Sequence, residues 1–225
     1  MGSKKDTMNF NPFPGLRPFS PEESDLFFGR EIESGEVVDK LQNNRFVTVI
    51  GASGSGKSSL IYCGVLPKIR QSIDVEATPW IFITFRPGNY PFSNLGSAIK
   101  EQLNEKDSAK VSVESVLLDL HLNKDGITYA LKKYLSGNRS RILLVVDQFE
   151  ELFRYSTMSA GGDKGAQAAG FVSKMVSAVS SAEAEIYTII TMRSDFIGEC
   201  AHYQGLTQLI NNSNYLVPHM DRENY

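Results

Sequence analysis

The chain has 225 residues, 41% of them hydrophobic and 22% charged, with a formal net charge of −3. This supports one large globular domain or two small ones and lacks the basic balance of a nucleic-acid binder. Two cysteines, Cys63 and Cys200, and three scattered histidines, His121, His202 and His219, make neither a disulfide framework nor a metal-ligand spacing, and no run is apolar enough for a membrane span or a signal core, so a cytoplasmic location with reduced thiols is expected.

Residues 1–25 are rich in proline and aromatics (Pro12, Phe13, Pro14, Pro18, Phe19), which forbids a helix and predicts an extended arm lying on a domain that occupies 26–225. A helix is predicted over about 31–43, with Ile32, Val37, Val38 and Leu41 on its buried side. Phe46–Ile50 is short, apolar and β-branched and reads as a buried strand, followed by a helix from about Lys57 that closes or kinks at Pro67. Trp80–Phe85 is a second apolar strand. Three amphipathic helices follow, on the faces Phe92/Leu95/Ile99/Leu103, Val113/Val116/Leu117/Leu120 and Ile127/Leu131/Tyr134/Leu135, with Ser112 and Asp125 as N-caps for the last two. Ile142–Asp147 is the third strand, 156–165 a Gly-rich loop, and Phe171, Val172, Met175, Val176 and Val179 share a helical face. Ile186–Met192 is the fourth strand, ending at Arg193; short helices over about 195–210 precede a last strand, Tyr215–Val217. Near-continuous apolar strands alternating with helices predict an α/β fold: three layers, a mostly parallel sheet of about five strands, and helices on both faces.

Residues 51–58, Gly-Ala-Ser-Gly-Ser-Gly-Lys-Ser, match G-x-x-x-x-G-K-[ST], the phosphate-binding loop (Walker A) of P-loop NTPases. Its position between a strand and a helix is the context this chemistry needs. Gly51, Ser53, Gly54, Ser55 and Gly56 allow tight bending and close approach of backbone N–H groups to an anion. Lys57 adds a point charge for the β/γ-phosphates, Ser58 offers a hydroxyl to Mg²⁺, and Ser59 continues into the helix whose positive dipole end faces the phosphates.

Ligands of such a sheet bind outside the carboxyl ends of its strands. Asp147 and Arg193 both fall there, so Asp147 is the expected Walker B acid on Mg²⁺ and Arg193 the expected γ-phosphate sensor, against a simple ion pair of Arg193 with Asp195. The position after Asp147 holds Gln148; Glu150, placed ahead of Glu151, is the candidate that orients the attacking water, the competing role of both acids being to favour a helix N-terminus. Trp80–Phe85, between the loop strand and the Asp147 strand in the chain, suggests an inserted strand of the kind found in ATPases. A guanine-reading N-K-x-D is missing, Asn123-Lys124-Asp125 being a near miss, so adenine is the expected base. The expected ligands are therefore ATP or ADP with Mg²⁺, and the reaction class is ATP hydrolysis. A binding module without turnover, a motor-type AAA+ ATPase using Arg139, Arg141 or Arg154 as a finger, and a small-molecule kinase are the rivals.

Pro12-Phe13-Pro14-Gly15-Leu16-Arg17-Pro18-Phe19, Phe27-Phe28-Gly29-Arg30, the glycine loop, Arg86-Pro87-Gly88, Val146-Asp147-Gln148-Phe149-Glu150-Glu151-Leu152-Phe153 and Arg193-Ser194-Asp195-Phe196 resemble the novel STAND NTPase family, signal-transduction ATPases with numerous domains. The resemblance runs from about residue 10 to the end. It implies an ATP-operated switch, closed when empty or ADP-bound, that self-associates on exchange and is reset by slow hydrolysis. It implies that Phe28, Gly29 and Arg30 lie on the adenine side of the pocket. The Asp147-x-x-Glu150-Glu151 spacing is similar to the Asp-Gly-x-Asp-Glu segment of NACHT ATPases. Members usually carry a lid, a winged helix and a sensor region after a core whose end Leu216–Met220 resembles; the expectation is a fragment whose lid, sensor and effector domains lie elsewhere in a parent chain.

Overall fold

Alternate residues of each strand point to opposite faces of a sheet, and here both faces are apolar. The computed structural model describes residues 27–71, 78–103, 110–135, 140–156 and 163–218, with Glu23 and Asp107. The arm expected over 1–25, apart from Glu23, and most of the loop expected over 156–165 lie outside the described residues. Five strands, β1 (Phe46–Gly51), β2 (Trp80–Phe85), β3 (Arg141–Val146), β4 (Ile186–Arg193) and β5 (Asn214–Leu216), form one sheet in the order β2-β3-β4-β1-β5. Every pairing is parallel.

Nine α-helical stretches are described: α1 (Glu31–Asn44), α2 (Lys57–Ser59), α3 (Leu66–Gln71), α4 (Pro91–Glu101), α5 (Val113–Leu122), α6 (Gly126–Leu135), α7 (Glu151–Ser156), α8 (Asp163–Ser180) and α9 (Gln204–Asn212). Val47, Val49, Leu143, Val145 and Ile189 meet Val37 and Leu41 of α1 and Leu60, Ile61 and Ile69 beyond the glycine loop. Their neighbours Phe46, Ile142, Leu144, Val146 and Ile190 meet α4, α5, α6, α8 and α9 through Phe92, Leu95, Val116, Leu131, Phe171, Met175 and Leu206. Two cores on opposite faces of one sheet make the three layers, as the apolar strands predict. Ser112 caps α5 as expected, its hydroxyl accepting from the Ser115 N–H at 3.1 Å.

Three expectations need correction. The strand inserted between the loop strand and the Asp147 strand is β4; Trp80–Phe85 lies at the sheet edge beyond β3. Chain order placed it between the two, but pairing follows the crossovers. Ile32 is exposed rather than buried, because α1 rests on the sheet through Ser34, Val37 and Leu41. The helix after the loop does not close at Pro67 but runs on to Gln71. A π-helical stretch, Leu60–Val65, joins α2 to α3, and the Leu66 N–H reaches back to Ile61 O. Proline has no N–H and crowds the carbonyl four residues back; widening the preceding turn accommodates it.

Register sets the site. Gly51 of β1 pairs with Arg193 of β4, whereas Val146, the last residue of β3, pairs with Ile190. The end of β4 therefore overhangs β3 and sets Thr191 beside Asp147 and Arg193 beside the start of the glycine loop.

Candidate functional site

The glycine loop leaves β1 and turns through Gly54 at φ 76° and Gly56 at φ 82°, left-handed conformations that favour glycine. Ala52, Ser53, Gly54 and Gly56 of the loop are exposed, and Ser55 Oγ, although buried, has no hydrogen-bond partner. Lys57 Nζ donates to the loop's own carbonyls, Gly51 O at 3.0 Å and Ala52 O at 2.7 Å. Burial lowers the Lys57 pKa from its ordinary value, opposed by the charge of Glu150.

Asp147 is the hub. It is wholly buried, in the turn that leaves β3. Ser58 Oγ and Thr191 Oγ1 each donate to its Oδ1 at 2.7 Å, and Arg86 Nε donates to its Oδ2 at 3.3 Å. Thr191 also accepts the Gln148 N–H at 2.9 Å, which holds Gln148 at φ 57°, an uncommon backbone for a residue other than glycine. The Ser58 hydroxyl and the Asp147 carboxylate offer only oxygen, the donor chemistry of a hard cation such as Mg²⁺, so these residues could hold one.

The two glutamates have different surroundings. Glu150 is buried and accepts a long bond, 3.4 Å, from the Arg193 N–H. Its pKa is raised chiefly by burial, with backbone hydrogen bonds and Lys57 opposing and Asp147 adding to the rise. Glu151 points away from that cluster, its Oε2 accepting the Gly88 N–H at 3.0 Å. The turn after β3 thus brings Glu150, not Glu151, into the electrostatic neighbourhood of Lys57 and Asp147.

Arg193 stands at the site edge, but its guanidinium binds Asp195 at 2.7 and 3.0 Å and lies 5.7 Å from the Phe196 ring centre. Phe28 is exposed, and Gly29 takes φ 77°. Arg30 is buried, its guanidinium spent on Glu33 at 2.8 Å and Pro218 O at 2.9 Å. Of the finger candidates, Arg141 begins β3, at the end opposite the loop, and pairs with Glu185 at 2.8 Å; Arg154 lies 5.8 Å from the Phe196 ring centre; Arg139 is outside the described residues.

Two residues were missed as members of the site. Thr191 is a hydroxyl within an apolar strand, a signal the sequence offered. Arg86 stands in a conspicuous Arg-Pro-Gly, but nothing local says that β2 lies beside β3.

Comparison with solved structures agrees on the fold. The ORC2 protein of Aeropyrum pernix, described as ADPNP-ADP complexes, is similar with a TM-score of 0.56 at 11% identity, over 86% of this chain and 48% of that one. A Walker-type ATPase of Pyrococcus abyssi has a TM-score of 0.53 at 18% identity, over 93% of this chain and 58% of that one. The chain thus spans about half the length of these neighbours. Comparison with curated proteins gives no match. The model of the family Novel STAND NTPase 1 matches residues 12–225, and with this fold and this loop the chain belongs to that family of nucleotide-processing domains.

Proposed function

We propose that the chain binds ATP or ADP with Mg²⁺, hydrolyses ATP slowly, and serves as the core of a signalling switch. The observation that carries this is the 2.7 Å bond from the Ser58 hydroxyl, at the start of the loop helix, to the buried Asp147 carboxylate. It joins a phosphate-binding loop to an acid in the turn after another strand, with only oxygen atoms between them.

In this reading the amides of 51–59 and Lys57 hold the phosphates, with Lys57 exchanging its two loop carbonyls for phosphate oxygens. Ser58 and, through water, Asp147 would hold Mg²⁺, which would supply positive charge to offset that of the phosphates. Glu150 accepts a proton from water as its oxygen attacks the γ-phosphorus, and the electron pair of the breaking bond leaves on ADP. Burial suits Glu150 to this, because a raised pKa makes a carboxylate a better base. Arg193 reaches the γ-phosphate only by releasing Asp195. Phe28, Gly29 and Arg30 form the adenine side. Residues 26–225 are the core and 1–25 its arm; self-association, lid and sensor belong to a longer cytoplasmic protein.

The test is calorimetry with Mg·ADP and Mg·ATP together with phosphate release. Lys57→Ala should weaken binding about 10- to 100-fold, the loss of a charge-assisted contact. Glu150→Gln should keep binding and lower phosphate release at least about 100-fold. Equal silence of the parent and Glu150→Gln, with binding intact, would leave a nucleotide-holding module; strong stimulation by DNA would point to the motor reading. Absence of binding to any purine nucleotide ends the proposal.

A further inference from the structure

We infer that Arg86 is a positioning residue that competes with Mg²⁺ for Asp147 and so sets the metal requirement for nucleotide binding. This rests on the reading of Asp147 as the carboxylate that partners Mg²⁺.

A carboxylate as buried as Asp147 needs compensation. Two neutral hydroxyls, Ser58 and Thr191, serve Oδ1; the Arg86 guanidinium, 3.3 Å from Oδ2, is the cation paired with it. The pair is asymmetric: the Asp147 side chain is 1% exposed and that of Arg86 50%. The carboxylate is anchored and the guanidinium stands at the solvent side, free to withdraw.

The loop carrying Arg86 is fastened from three points. Asn94 Nδ2 donates to Arg86 O and Pro87 O, both at 3.0 Å, and Glu151 Oε2 accepts the Gly88 N–H. Pro87 restricts the backbone before it, and Gly88 takes φ 52°. These bonds hold the loop backbone without engaging the Arg86 side chain, and they give Glu151 a part in supporting the loop.

Arg86 approaches Asp147 from the β2 side, near Tyr62, whose charged neighbours are Asp147 and Arg86. The charged groups acting on Lys57 are Glu150, Arg193, Asp147 and Asp195. Arg86 takes Oδ2 of Asp147, whereas Ser58 and Thr191 take Oδ1. A guanidinium on one oxygen of a carboxylate repels a divalent cation near the other, so each weakens the hold on its rival.

The experiment is a titration of ADP binding by calorimetry at stepped Mg²⁺ concentrations, with thermal melts of nucleotide-free protein with and without Mg²⁺. Arg86→Gln should lower the Mg²⁺ concentration for half-maximal enhancement of ADP affinity by about two- to fivefold, the worth of one partly exposed ion pair. It should also lower the Tm of the nucleotide-free protein, and Mg²⁺ alone should recover part of that loss. Arg86→Lys, which keeps a cation, should resemble the parent. In an Asp147→Asn background, Arg86→Gln should cause no further change in Mg²⁺ dependence. An unchanged Mg²⁺ requirement in Arg86→Gln overturns the inference while sparing the function proposed above. Loss of preference for ATP over ADP, with the Mg²⁺ requirement unchanged, overturns it in favour of a γ-phosphate contact. A parent whose ADP binding ignores Mg²⁺ overturns both.

Discussion

Glu150 and Lys57 are pushed by burial in opposite directions, the acid up and the amine down, so each is held toward its neutral form. A carboxyl whose folded pKa lies above its unfolded value contributes stability that is full below the unfolded pKa and is lost as pH rises through the folded one. Glu150→Gln should therefore melt higher than the nucleotide-free parent at pH 7, and the difference should close as pH falls toward the ordinary glutamate range of about 4.3. The same shift predicts that phosphate release by the parent fails on the acid side at a pH above that range, because protonated Glu150 cannot accept a proton. Melts and pH–rate profiles of the parent and Glu150→Gln check both. Glu150 was legible as a candidate from its spacing after Asp147. The sequence placed it ahead of Glu151 without a physical reason, because that reason lies in where the turn delivers each side chain and in the Gly88 N–H bound to Glu151.

The helical segment beyond the glycine loop shows how an element answers two demands at once. It must present Lys57 and Ser58 at its start and pass Pro67 near its end, and the π stretch Leu60–Val65 reconciles them. Gly64 lies in that stretch where it meets α1. A Cβ there would collide with Ser34 Oγ and come within 3.1 Å of Ser34 Cβ. Ser34 cannot easily retreat, since its hydroxyl donates to Arg30 O at 2.6 Å. Gly64→Ala should cost about 1–3 kcal/mol, the range for overpacking. Adding Ser34→Gly should recover part of it; chemical denaturation of the two single variants and the double variant gives the coupling. The sequence showed a helix here, but its contact partner lies thirty residues earlier and leaves no local mark beyond a glycine.

At the scale of the whole molecule, the two ends of the described core are tied. The Arg30 guanidinium, 6% exposed, binds Glu33 and the carbonyl of Pro218, and Tyr215 Oη donates to Glu36 at 2.8 Å. Arg30→Met should cost about 1–3 kcal/mol through two lost charge-assisted bonds. In a purely structural role its affinity for Mg·ADP stays near that of the parent. Retained Tm with weakened ADP binding would instead favour the adenine-side role; melting and calorimetry on one preparation separate the two. What the chain alone determined is whatever depends on neighbours in sequence. The glycine loop has its own φ demands, apolar runs of strand length declare burial on both faces, and Ser112 caps the helix that follows it. Tertiary structure decided the rest: the strand between β1 and β3 is β4, Ile32 is exposed, and Arg86 and Thr191 converge on Asp147. Those outcomes depend on which parallel strands pair and in what register, a choice made by long-range burial over the whole sheet that no short segment encodes.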